Sequence, residues 1–193
     1  MSSRAERWLP LTGGTAVWVF MAVEVLTFGL FLLHHAWGWV GSAEVMLEGQ
    51  ARLHVDSATL GTAVLLLGSW AAYEGVLACE AGRGRAGAGW FLGTAASGLL
   101  FTANKIGEYA SPELSGVSLS ESRFWFSYLF LTGLHLGHVV VGVGGFGWLA
   151  WQAWRARSGE GEGLLAVQAG AAYWHLIDVV WLLLFPLLYL MAP

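Results

Sequence analysis

Charge is scarce in this chain. Of its 193 residues only 11% are Asp, Glu, Lys or Arg, where a soluble domain carries about 25%. Apolar residues make up 56%, and the mean hydropathy is +0.61. A water-soluble globule is thereby excluded. Cysteine is nearly absent. Cys79 stands alone, so the chain by itself forms no internal disulfide, no two-cysteine haem attachment and no dithiolate copper centre. Basic clusters of the kind that track nucleic acid are missing. The net charge of −4 says little, because the few charges fall mostly in loops. No segment alternates with the ten-residue rhythm of a membrane barrel strand. There is no internal repeat, and no linker long enough to separate one domain from another. A cleaved leader is also not expected. Met1–Leu11 has two arginines but no apolar run before Leu11, and the first apolar run contains Glu24 without a small-residue cleavage pattern.

What the chain does have is long hydrophobic segments. About 20 apolar residues cross a bilayer as a helix, and five segments qualify, at about 15–33, 58–78, 88–106, 124–151 and 169–191. The expected fold is all-α, one integral membrane domain over 1–193 with five transmembrane helices. The polar stretch 34–57 separates the first two, with Asp56 or Ser57 placed to cap the second. A turn from Cys79 to Gly87, a polar loop over 110–122 and a Gly/Glu-rich loop over 152–163 provide the other connections. Arg4, Arg7, Arg83, Arg85, Arg155 and Arg157 then share one side, against Arg52, Arg123 and Lys105 on the other. That bias predicts a cytoplasmic N-terminus and an external C-terminus. Trp8, Trp37, Trp39, Trp90, Trp125, Trp151 and Trp154 fall near span ends, as an interfacial belt requires. Gly89, Gly93 and Ser97 recur every four residues in the third span, Gly133 and Gly137 in the fourth, and Ala71 and Gly75 in the second. Such ridges are expected to let helix backbones approach closely.

The polar residues inside these spans carry the chemistry. Glu24 sits mid-span in the first. His135 and His138 are three apart in the fourth, as are His175 and Asp178 in the fifth and Lys105 and Glu108 at the outer end of the third. Residues three apart share a helix face, so Lys105 can pair with Glu108. A bare carboxylate at the bilayer centre costs at least ~2.5–3.5 kcal/mol, so Asp178 needs a partner. A histidine or a tryptophan of a neighbouring span would serve. Two histidines on one helix plus a carboxylate elsewhere can bind zinc or iron. A catalytic respiratory core, however, needs several more membrane histidines than this chain offers: it has six, and His34, His35 and His54 lie outside the expected spans. No metal site is expected. Glu24 suits a proton donor or acceptor, and equally a hydrogen-bond partner that locks helices together. An autonomous transporter would show inverted repeats or broken helices, and neither is evident, although Gly142, Gly144, Gly145 and Gly147 are placed to loosen the inner end of the fourth span. An independent membrane metalloenzyme would hold metal in the isolated chain.

The run Tyr173-Trp174-His175-x-x-Asp178-Val179-Val180-Trp181-Leu182, followed by Leu184-Phe185, resembles the last helix of subunit III of haem–copper respiratory oxidases. Thr132-Gly133-x-His135-x-x-His138-Val139 resembles that family's preceding signature. Trp18-Val19-Phe20-x-x-x-Glu24-Val25 is similar to its helix with a buried glutamate, and Glu108-Tyr109 to a Glu-Tyr pair at the end of another helix. The matches run in family order across nearly the whole chain. The resemblance implies a multi-pass subunit of a bacterial plasma membrane with no catalytic residue, metal or cofactor of its own. Its partners would be the catalytic subunit I, which holds haem and copper, other oxidase subunits, and phospholipid. Its expected role in aerobic electron transport is to stabilise the catalytic subunit and support proton uptake. In longer members lipids sit in a cleft between the first two of seven helices and the rest. This chain resembles the five-helix form without those two. By carry-over Glu24 is the buried carboxylate, and His135, His138, His175, Asp178 and Glu108 are polar core positions. Lys105 departs from the usual neutral residue. It resembles instead a short branch associated with nitric oxide reductase, which makes an accessory protein of that enzyme the alternative.

Overall fold

The computed structural model describes residues 15–155 and 162–191. Arg4, Arg7, Trp8 and Arg157 lie outside them. Among the described residues there are six helices and no strand: α1 (Thr15–Gly41), α2 (Ala43–Gln50), α3 (Val55–Glu80), α4 (Gly84–Tyr109), α5 (Arg123–Arg155) and α6 (Glu162–Tyr189). Four of them, α1, α3, α5 and α6, are both long and apolar enough to cross a membrane. α4 matches them in length with 26 residues, but it mixes glycine, serine and threonine with Asn104, Lys105 and Glu108.

Several boundaries differ from those expected. α1 continues past Leu33 to Gly41, because no helix breaker intervenes and His35 packs inward, fully buried. His34 and His35 therefore belong to this long helix. The stretch 34–57 is not all loop, since it includes α2. α3 starts at Val55 with His54 as its N-cap and no side-chain cap bond. Asp56 instead lies in the first turn, where its charge complements the helix dipole, and the Ser57 hydroxyl accepts from Asn104 Nδ2 at 2.9 Å. The α3–α4 turn is set by Gly82, whose φ of +71° suits glycine. There Arg83 N–H reaches Ala78 O at 2.8 Å and Gly82 N–H reaches Cys79 O at 2.9 Å, the paired bonds of a Schellman ending.

α3, α4, α5 and α6 close a four-helix ring, each packed on the next and α6 back on α3. α1 leans on the outside against α5 and α6, and α2 covers one end of α5. The ring closes around Trp174 of α6, which is fully buried. A methyl group on Gly98 of α4 or Gly142 of α5 would approach its ring to 2.7 or 2.9 Å, and one on Gly68 of α3 to 3.4 Å. One indole thus fits against glycines from three different helices. Phe146 meets it edge-on at 5.4 Å, and Phe91 meets Phe146 at 5.6 Å.

Of the small residues expected to mediate packing, Gly75 receives the Phe91 ring and Ser97 packs on Gly68, but the other glycines do not make close approaches. Nothing lies within 4 Å of a methyl placed on Gly89, Gly133 or Gly137, and only Ala71 Cβ, at 3.8 Å, near Gly93. Four-residue spacing marks a face without saying which way it turns. Phe124, Tyr128, His135, Val139 and Phe146 fix the buried face of α5. Gly133 and Gly137 each sit two residues from His135, about 200° around the helix. α5 also runs unbroken through Gly142–Gly147, so those glycines do not loosen it. Trp37, Trp151 and Trp154 are exposed as a belt requires, but Trp125 is buried beneath the Arg52 guanidinium, 4.9 Å from its ring centre.

Candidate functional site

Near the C-terminal end of α4 a charged pair is sealed in an aromatic box. Lys105 Nζ donates to Glu108 Oε2 at 2.8 Å and to Tyr189 Oη at 2.6 Å. Both side chains are essentially inaccessible. Tyr128 and Tyr189 each donate to Glu108 Oε1 at 2.8 Å, so both carboxylate oxygens are engaged. The ammonium also sits 4.8 Å from the Trp181 ring centre and 5.1 Å from that of Tyr189, within cation–π range. Next door Tyr109 donates to Thr132 Oγ1 at 2.7 Å, and Thr132 donates to Tyr128 O at 2.5 Å. A buried pair is stable only when its remaining hydrogen-bonding capacity is met. Here three helices, α4, α5 and α6, meet it.

Trp181 extends this cluster toward the middle of the bundle. Its Nε1 donates to Thr62 Oγ1 of α3 at 2.8 Å, and His135 stacks on it at 5.1 Å. Phe101 closes the other approach to His135, edge-on at 5.6 Å. Neither nitrogen of His135 has a hydrogen-bond partner among the described residues.

His138, one turn along α5, reaches α1. Its Nδ1 lies 2.8 Å from Leu134 O. A carbonyl only accepts, so Nδ1 carries a hydrogen. Its Nε2 lies 3.2 Å from Glu24 Oε2. An unprotonated imidazole nitrogen and a carboxylate oxygen repel at that distance, so one proton must reside on one of the two groups. Glu24 and His138 therefore form a hydrogen-bonded pair between α1 and α5. A cavity of about 10 Å³ beside it, bounded also by His135 and Tyr173, has room for about one water. Tyr173 donates to His138 O at 3.0 Å.

On the far side of α6, His175 Nδ1 is hydrogen-bonded to Ser69 Oγ of α3 at 2.5 Å. Asp178 is buried next to Ser69, yet neither of its oxygens has a well-formed hydrogen bond among the described residues. Among the described residues no histidine or tryptophan of a neighbouring helix donates to Asp178. On its own helix His175 is bonded to Ser69 and the Trp181 indole to Thr62.

Ser69, Thr62, Tyr128 and Tyr189 do not stand out in the sequence. Thr62 and Ser69 are seven apart on one face of α3, a signal that was present. The tyrosines are indistinguishable in sequence from belt residues. His35 did not stand out either. Its Nε2 donates to Leu187 O at 3.2 Å, capping a carbonyl in the last turn of α6 that no helical N–H reaches. Outside the spans, Arg52 Nε donates to Glu113 O at 2.9 Å, and its terminal nitrogens reach Glu113 O and Glu121. His54 Nε2 meets Glu113 Oε2 at 3.1 Å. Glu113's own backbone N–H, and then His54, hold its carboxyl below the usual range. Among the described residues no three His, Cys, Asp or Glu side chains converge as a metal site would require.

The family model for cytochrome c oxidase subunit III matches residues 55–192, which takes in all of α3 to α6. The chain belongs to the cytochrome c oxidase subunit III family. It is 29% identical over 174 residues to a cytochrome c oxidase subunit 3 of Corynebacterium diphtheriae, a match covering 89% of this chain and 84% of that one. A probable quinol oxidase subunit 3 of Staphylococcus epidermidis is 27% identical, with coverage of 91% and 87%. A heme-copper oxidase subunit I+III of Aeropyrum pernix is also 27% identical, over 91% of this chain but 22% of that longer protein. These similarities carry oxidase names and disfavour the nitric oxide reductase alternative. Lys105 is accounted for instead by the box that holds it. As a subunit III the chain is a membrane protein of the haem–copper oxidase system, and its interior polar residues are to be read in that setting.

Proposed function

We propose that this subunit III is a brace for the catalytic subunit of a haem–copper terminal oxidase, with no redox centre of its own, and that it supports proton uptake. The observation that carries the reading is how the interior polar side chains are used. Lys105, Glu108, Thr62, Ser69 and His175 bond helix to helix, as a rigid supporting bundle requires. The I+III relative supports a place beside subunit I, where haem and copper are expected. The Glu24–His138 pair, which must hold one proton, supports a link to proton uptake.

The proposed topology has five spans within a single domain. α4 serves as the fifth, since its 26 residues reach about 39 Å, more than the ~30 Å hydrocarbon core. The basic residues favour a cytoplasmic N-terminus, and the bacterial relatives favour the plasma membrane. Bound phospholipid is part of the proposal.

The test is purification in mild detergent through an N-terminal tag, followed by an optical spectrum, mass identification of co-purifying proteins and oxygen consumption. A haem-containing subunit I with oxidase activity is expected, and its activity should decay faster during turnover when this chain is absent. Haem or metal bound to the isolated chain would overturn the reading.

A further inference from the structure

At the seam between α3 and α6 one polar group is left over. His175 is only partly buried. Its Nδ1 is bonded to Ser69 Oγ, but its Nε2 bonds to nothing among the described residues. Unlike both nitrogens of His135, Nε2 is not sealed inside the bundle.

The leftover nitrogen lies at mid-depth. His175 stands 13 residues after Glu162 and 14 before Tyr189, the two ends of α6, and so about 20 Å from either end. Ser69 is similarly central in α3, 14 residues after Val55 and 11 before Glu80. Both helices are long and apolar enough to cross a membrane, whose hydrocarbon core is ~30 Å thick. Water does not reach an imidazole at that depth on the outside of a bundle.

The surface around it is open. Leu66 and Tyr73 flank Ser69 at spacings of three and four on α3, and Val179 and Leu182 follow His175 at four and seven on α6, so each pair shares the face of its polar residue. All four are exposed. α1 lies against another face of α6, where Phe20 meets Tyr173 at 5.9 Å, two residues and about 200° around the helix from His175.

We propose that this seam docks a transmembrane helix of another oxidase subunit, which presents a hydroxyl or amide side chain to His175 Nε2. Acyl chains do not satisfy the site, because hydrocarbon holds no hydrogen-bonding group and leaves a polar atom unmet. A helix does, since serine, threonine, asparagine and glutamine hydrogen-bond across membrane helices. A hydroxyl or an amide both donates and accepts, so it fits either tautomer of His175. The proposal rests on the accessory role and adds which face of the subunit meets its neighbour.

The tagged complex is made with p-benzoylphenylalanine in place of Val179, irradiated in native membranes, purified and mapped by mass spectrometry. The expected crosslink is to one transmembrane segment of a co-purifying subunit, with Ser, Thr, Asn or Gln within one turn of the linked residue. Val179→Trp, which fills the space the helix needs, should lower retention of that subunit about tenfold through detergent washing, the scale of overpacking. Leu99→Trp, on an exposed face of α4, should not. His175→Phe should lower retention about threefold, the scale of one interhelical hydrogen bond in lipid, whereas Ser69→Ala, which removes only the inner bond, should not. Crosslinks from position 179 to lipid alone, to a second copy of this chain, or to a segment without such a polar residue would overturn the proposal. So would undiminished retention in Val179→Trp, or an equal loss in Leu99→Trp. If no subunit accompanies the unsubstituted chain, the accessory role falls and this proposal with it. If subunits do accompany it and position 179 reaches none of them, the seam alone falls.

Discussion

Trp174 of α6 occupies the space that a side chain on Gly142 of α5 would need, with 2.9 Å between the ring and a methyl built there. The contact is rigid on both sides, since an indole inside a closed ring of helices has nowhere to move. Gly142→Ala and Gly98→Ala are therefore each expected to destabilise the bundle by about 1–3 kcal/mol, the usual cost of overpacking. For a chain of this size that lowers the melting midpoint by about 2–4 °C per kcal/mol. Gly137→Ala, which meets open space, should leave the midpoint unchanged or slightly raised. Thermal unfolding of the three variants in one detergent checks the ordering.

The buried Lys105–Glu108 pair makes a different kind of prediction. Removing one partner leaves an uncompensated buried charge and costs about 3–5 kcal/mol. Lys105→Met and Glu108→Gln should each reduce folded yield sharply. The double variant should recover much of the loss, because neither charge remains. A double-mutant cycle measures the coupling. Additive losses would show that the pair does not act as a unit.

Glu24 and His138 separate a hydrogen-bonding role from a protonic one. His138 Nδ1 is held by Leu134 O, so Nε2 accepts whenever the ring is neutral. A glutamine at position 24 offers an N–H to that nitrogen but has no proton to give up. Glu24→Gln is expected to fold within about 1 kcal/mol of the unsubstituted chain, whereas Glu24→Leu should cost about 1 kcal/mol by leaving a partly buried acceptor unpaired. In the intact complex, slowed proton uptake in the glutamine variant alone would assign Glu24 a protonic role. Unchanged uptake would leave it a structural one.

The clamp at Glu113 is pH-dependent. Its carboxyl is held below the ordinary value of 4.5, so the stability it contributes is present above that pH. It is lost as pH falls through the lower folded-state value. Glu113→Gln should therefore lower the melting midpoint at pH 7, and the gap to the unsubstituted chain should narrow as pH drops below 4.5. A gap that stays constant down to pH 3 would show that the charge is irrelevant there. High salt should shrink the effect, because the contact is exposed.

Where the chain is helical was legible without coordinates. Length and hydropathy predict most of α1, α3, α5 and α6, because a helix that satisfies its own backbone is what an apolar segment of that length forms in lipid. The pairing of Lys105 with Glu108 was also legible, since residues three apart on one helix are neighbours whatever surrounds them. The motifs around Glu24, His135, His138, His175 and Asp178 pointed to the family.

Which face of each helix turns inward was decided only by tertiary structure. Spacing alone favoured Gly133 and Gly137, but the large side chains of α5 turned those glycines outward and chose Gly142 for Trp174. Likewise His135 and His138, three apart, diverge because one meets Trp181 and the other Glu24. Ser69 and Thr62, more than 100 residues away in sequence, are the partners of His175 and Trp181, and nothing local in the sequence selects them. Sequence by itself determined the helices and their local pairs, which depend on neighbours along the chain. The partners of the buried polar groups depend on how four helices close around one tryptophan, and no local pattern encodes that.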